Sequence, residues 1–218
     1  MQLSRGRAPR PKGGWGAPRS AFTLVEMIVV VAIILLLSAM LFPVFEAALG
    51  RAEGVSCISN MRSLGLAARM YADDYDDTII PAMLPHGTAG RICWDMTIQA
   101  YVSNEGLLLC PSDEYPRRLG GTLCAPHSYG INLGLAEVGG YLGSSLKLAA
   151  VADPIATVLF CELNGQRYNT HGVRYSEGGL ERVAIHRHGG GANYTFLDGH
   201  TKWLRPESTE EPESLWGF

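Results

Sequence analysis

No acidic residue occurs before Glu26, and no charged residue of either sign occurs in residues 27–45. The first absence leaves Arg5, Arg7, Arg10, Lys12 and Arg19 unopposed, so the positive-inside rule puts this leader on the cytoplasmic side of a membrane. The second leaves 19 uncharged residues, about 28 Å of helix against a hydrocarbon core of about 30 Å. A single-pass anchor is expected, with everything after residue 46 outside the cytoplasm. A cleaved signal peptide fits less well. The apolar stretch is long for one, and small residues suited to cleavage follow only at Ala47-Ala48.

Basic residues are scarce beyond the leader. Residues 22–218 hold 13 Lys and Arg against 21 Asp and Glu, a formal charge of −8, so no basic face for nucleic acid is available. There is no C-x-x-C, which removes the core of zinc-ribbon and thioredoxin readings. G-x-S-x-G, P-loop and H-E-x-x-H motifs are also missing. His127 and Ser128 are merely adjacent in sequence, which is no sign of a triad. Neither an enzyme nor a resident cofactor is expected.

What is present is most informative at the head of the apolar run. Ser20-Ala21-Phe22-Thr23-Leu24-Val25-Glu26-Met27 places a carboxylate at the edge of a membrane helix, a costly position for a charge without a partner. An ordinary anchor gains nothing from it. The run 21–27 resembles the N-terminal motif of type IV pilins and type II secretion pseudopilins. The resemblance implies cleavage by a prepilin peptidase between Ala21 and Phe22, then methylation of the new Phe22 terminus. The family usually has Gly before the cut; Ala21 is also small. Pro43 falls where many pilins also carry a proline. The freed amino group of one subunit would then pair with Glu26 of the next and fix their register, the best-attested use of a buried ion pair.

The division expected along the chain is a basic leader (1–21), a membrane and assembly half-helix (22–46), an amphipathic half-helix (47–77), a globular domain (78–205) and an acidic mobile tail (206–218). Ile58, Met61, Leu64, Ala68, Tyr71 and Tyr75 recur at three- and four-residue intervals, one apolar helical face. Pro43, Gly50 and Gly54 predict a bend or a locally melted turn between 43 and 54. The fold class expected is α+β, a long N-terminal helix packed on a C-terminal antiparallel sheet.

The segments 57–67 and 70–76 resemble a subfamily of pilin-like proteins abundant in planctomycete-type bacteria, whose outer domain ends in a His-x9-Asp-Gly motif. Here that motif is His188, Asp198 and Gly199. The resemblance also matches 107–113 to a strand followed by a turn and 128–132 to a further segment of the domain. Residues 157–162 read as a buried strand, and 95–102 as a short helix or strand. Three antiparallel strands are expected over 182–186, 193–197 and 200–204, the last two joined at Asp198-Gly199 by a type I′ turn.

Several residues offer ligands. His186, His188, Asp198 and His200 combine nitrogen and oxygen donors, although hairpin chemistry is the preferred explanation for them. Asp73, Asp74, Asp76 and Asp77 are oxygen donors at close spacing for Ca²⁺, or else a solvated helix end. The five cysteines are odd in number. Cys110 and Cys124 are the expected disulfide, because Pro111, Pro116 and Gly120-Gly121 lie between them; buried thiols are the alternative.

The function expected is that of a structural subunit of a pilus-like or pseudopilus filament. Its partners would be the prepilin peptidase, other pilin-like subunits and an inner-membrane assembly platform. A membrane-tethered binding module that never polymerises is the second reading. An anchored metal-dependent hydrolase is the third.

Overall fold

The computed structural model describes residues 22–87, 90–102, 104–114, 123–136, 143–164, 172–173, 183–184, 187–205, 208 and 215–216. The leader, Ala21 and His186 lie outside them. The chain divides into two compact units, Met1–Val44 and Phe45–Phe218.

In the first unit, helix α1 (Leu24–Asp74) begins. Its apolar side chains here face outward, and none of its most hydrophobic stretch is buried. It is the one helix among the described residues long and apolar enough to cross a membrane. The helix contains Pro43 without interruption, so the melted turn expected between residues 43 and 54 does not form. Proline loses one donor, but its fixed φ suits a helix. Further on, Glu53 accepts a hydrogen bond from the Ser112 hydroxyl at 2.7 Å, which ties the glycine-bearing turn to the domain.

The second unit contains the rest of α1 and the α+β domain. The buried face of α1 is Cys57, Met61, Leu64, Gly65, Ala67, Ala68, Tyr71 and Ala72, close to the predicted stripe. Ile58 is only half-buried, and Tyr75 stays exposed while stacking on Tyr71 at 4.3 Å. A two-stranded ribbon follows, β1 (Met83–His86) and β2 (Gly90–Cys93), then the short α2 (Trp94–Thr97). A five-stranded sheet is built from β3 (Tyr129–Asn132), β4 (Val158–Glu162), β5 (Gly172–Val173), β6 (Ala192–Phe196) and β7 (Thr201–Leu204). A helical turn, α3 (Leu133–Ala136), follows β3. The sheet order is β5-β3-β4-β6-β7. All neighbouring pairs are antiparallel except β3 with β5, so the sheet is mixed.

Strands β3, β4 and β6 are buried at every position, as expected of strands covered on both faces. One cluster joins the α1 stripe to Trp94, Tyr129, Ile131, Leu159 and Phe160. A second contains Val158, Cys161, Tyr194, Phe196 and Trp216. Of the segment expected to form a mobile tail, Ser208, Leu215 and Trp216 are described, and Trp216 has a defined place. It is buried against Tyr194, and the Asn132 side chain donates to its carbonyl at 3.3 Å. An indole removes enough apolar area from water to hold its place in such a cluster.

Two local expectations also change. Residues 105–108 form a 3-10 turn, not a strand, because the Asn104 side chain accepts from the Gly106 N–H at 2.8 Å. The β6–β7 connection is not a type I′ turn. Only Gly199 has positive φ, at 92°, whereas that turn needs two such residues. Gly199 N–H donates to the Phe196 carbonyl and Phe196 N–H donates to that of His200, which makes a three-residue loop with glycine in the left-handed position.

Candidate functional site

At the start of α1, Thr23 and Glu26 hold each other. The Glu26 carboxylate accepts from the Thr23 N–H at 2.8 Å and from its hydroxyl at 2.7 Å, and Thr23 Oγ1 accepts from the Glu26 N–H at 3.2 Å. This reciprocal pattern is a capping box. The Thr-x-x-Glu spacing of residues 23–26 carries that signal in the sequence. Phe22, the residue expected at the mature terminus, lies just outside the helix and is exposed.

In the domain, the sequence groups residues differently from expectation. His188 does not meet Asp198 and His200. Its Nε2 donates to Glu162 Oε1 at 2.8 Å and lies 3.4 Å from Cys110 Sγ. Cys57, Cys110, Glu162 and His188 form one buried group, all within 4.8 Å through one donor atom each. Four elements meet here: α1 brings Cys57, the loop after the 3-10 turn brings Cys110, β4 ends in Glu162, and the turn before β6 carries His188. Glu162 is fully buried, and burying a carboxylate requires partners. The Asn193 N–H donates to its Oε2 at 2.9 Å, and the Asn193 side-chain amide to its Oε1 at 3.2 Å. Tyr129 stands opposite Glu162 in the sheet. Burial pushes its phenol well above the ordinary range, and the Glu162 charge adds to the rise.

Both His188 contacts use the same ring nitrogen. A nucleophile–base–orienter relay needs one contact on each nitrogen, so this arrangement is not that relay. His188 Nδ1 has no hydrogen-bond partner and faces Gly54, where a Cβ would stand 3.5 Å away. The Trp203 indole donates to the His188 carbonyl at 2.8 Å. A cavity of about 530 Å³ opens here, lined in part by Gly54, Ser112, His188, Asn193 and Trp203. The neighbouring Arg187 donates to the Leu163 carbonyl at 2.7 Å and pairs with Asp113 at 3.0 Å.

The remaining motif residues belong to the hairpin. His200 Nδ1 lies 2.6 Å from Asp198 Oδ1, which also accepts from the His200 N–H at 3.0 Å, and the His200 ring stacks on Phe196. The aspartates at the end of α1 do not gather into a ligand group. Asp74 accepts from the Tyr101 hydroxyl at 2.9 Å, and Asp76 and Asp77 have positive φ where the helix ends.

The disulfides correct the expected pairing. Cys110 joins Cys57, and Cys124 joins Cys93, with Cα separations of 5.3 and 5.2 Å. Cys161 is buried in the second cluster and takes part in neither bridge. The signal for Glu162 was a single carboxylate ending an otherwise apolar strand. Its partners come from segments too distant in sequence for spacing to reveal.

Residues 17–42 match the family described as prokaryotic N-terminal methylation motif. No curated protein and no solved structure matches the chain. The chain thus carries a pilin-type N-terminal motif on an apolar helix suited to membrane anchoring, followed by an α+β domain with a pilin-like layout.

Proposed function

We propose that this protein is a structural subunit of a type IV pilus-like or type II secretion pseudopilus filament. Prepilin peptidase cuts between Ala21 and Phe22 and methylates Phe22, and an inner-membrane platform adds the subunit to the filament through α1. The amino terminus begins on the cytoplasmic side, where the basic leader holds it. The observation that carries this reading is the methylation motif over residues 17–42 at the head of a helix whose apolar half is wholly exposed. Such a surface is stable in lipid or against sister helices, not in water.

Glu26 has two roles in this scheme. Within one chain it caps α1 through Thr23; in the filament it takes up the charged terminus of a neighbouring Phe22. The variants Glu26→Ala and Thr23→Val separate these roles. Glu26→Ala removes both. Thr23→Val removes the hydroxyl bond and leaves the carboxylate. Electron microscopy of shear-released material should show filaments from Thr23→Val and few or none from Glu26→Ala, with both proteins present in the membrane. Equal filament yields would remove the assembly role of Glu26.

The cavity beside His188 supports a second reading, a membrane-tethered binding module. That reading predicts a processed or unprocessed protein that forms no filament under any condition.

A further inference from the structure

We propose that Cys57, Cys110, His188 and Glu162 form a binding site for a zinc-class divalent cation when the Cys57–Cys110 pair is in its dithiol form, with the disulfide as the metal-free alternative.

The donor set suits that ion. Two sulfurs, one imidazole nitrogen and one carboxylate oxygen lie mutually within 4.8 Å and are all buried. Tetrahedral zinc with bonds of about 2.0–2.3 Å puts neighbouring ligand atoms about 3.5 Å apart. Cys110 Sγ and His188 Nε2 stand 3.4 Å apart already. His188 Nε2 and Glu162 Oε1, at 2.8 Å, need to open only slightly around an ion that replaces their shared proton.

The surroundings are those of a ligand site. Asn193 fixes the Glu162 carboxylate through its backbone and its side chain, the outer-shell support that metal ligands commonly receive. Trp203 fixes the His188 backbone. The cavity lined in part by His188 opens beside the group and supplies a path for the ion. A disulfide by itself makes no demand for a buried carboxylate and imidazole at its side, and their burial is costly.

The exchange balances. Binding M²⁺ to the dithiol releases the two thiol protons, and the His188 ring proton moves from Nε2 to Nδ1, which frees the Nε2 lone pair for the ion. Oxidation by a disulfide-class acceptor removes two electrons from the two sulfurs and forms the Cys57–Cys110 bond; the acceptor takes those electrons and two protons from water to become two thiols, and the cation is freed.

The test uses the full-length protein in detergent, reduced with a phosphine under argon and titrated with Co²⁺. One equivalent should bind, with thiolate-to-cobalt charge-transfer absorption and the visible bands of tetrahedral cobalt, and Zn²⁺ should bleach both. Reoxidation with diamide should release the metal. Asn193→Ala should weaken cobalt binding by about ten- to a hundred-fold. Cys93→Ser/Cys124→Ser should retain the signal, which separates this site from the second group of Cys93, Asp95 and Cys124. Absence of stoichiometric cobalt in the reduced wild-type protein would overturn the proposal without recourse to any variant. So would a signal that persists in Cys57→Ser/Cys110→Ser.

Discussion

Gly199 closes its turn directly over Gly65. A Cβ at Gly65 would lie 3.3 Å from the Gly199 carbonyl oxygen and 2.6 Å from the Thr195 methyl group. Thr195 also donates to the Met61 carbonyl at 3.2 Å, so β6 is fastened to α1 on the same face. His188, at the other end of the motif, faces Gly54. The interval from Gly54 to Gly65 equals that from His188 to Gly199 and covers about three turns of α1. Both ends of the motif therefore meet one face of the helix, each at a glycine.

The two glycines should respond oppositely to alanine. Gly65→Ala forces a methyl group into Thr195 and the turn backbone and should cost about 1–3 kcal/mol, as overpacking does. Gly54→Ala meets His188 at ordinary contact distance and removes a flexible residue from a helix. It should be neutral or stabilise by about 0.5–1 kcal/mol. Denaturant unfolding followed by circular dichroism measures both. A Gly65→Ala protein as stable as the wild type would refute the close contact.

Non-reducing peptide mapping of the oxidised protein should recover Cys57 linked to Cys110 and Cys93 linked to Cys124, with Cys161 alkylated only after unfolding. The loop closed by Cys93 and Cys124 corresponds to about 4 kcal/mol of chain entropy, so Cys93→Ser should lower stability markedly. A peptide joining Cys110 to Cys124 would contradict the fold around both bridges.

These contacts mark the boundary of what the sequence reveals. The α1 stripe from Met61 to Tyr71, strand β4 and the β6–β7 hairpin were legible because each is a local period or a local turn signal. The N-terminal motif was legible because it is contiguous. The Cys57–Cys110–Glu162–His188 group was not, since its four members come from four elements and no spacing rule links them. The turn type was misjudged for a different reason. Asp-Gly favours a two-residue loop in isolation, but the Phe196–His200 pairing and the packing on Gly65 select the longer one. Trp216 packs on Tyr194 of its own chain, a long-range contact that no local spacing reveals.

The far end of α1 should be sensitive to alkaline pH. The Tyr101 phenol donates to Asp74, and this bond, aided by desolvation and the Asp74 charge, raises its pKa to about 12. An unfolded tyrosine ionises near about 10. The folded value is the higher one, so the contribution of this contact is complete below pH of about 10 and is lost as pH rises towards about 12. Burial, and then the adjacent Tyr75, also raise Tyr71. Phenolate absorbance of wild type minus Tyr101→Phe should isolate one group titrating near 12. A difference curve centred near about 10 would show that the Tyr101–Asp74 bond is not maintained.

The proposed function requires this chain to be processed to begin at Phe22 and then assembled through α1. Intact mass and N-terminal analysis of the protein extracted from native membranes and from sheared filaments tests it most directly. The account predicts N-methyl-Phe22 as the first residue of the filament form. Filaments built from protein that still begins with its arginine-rich leader would contradict it, because no freed terminus would then exist to meet Glu26.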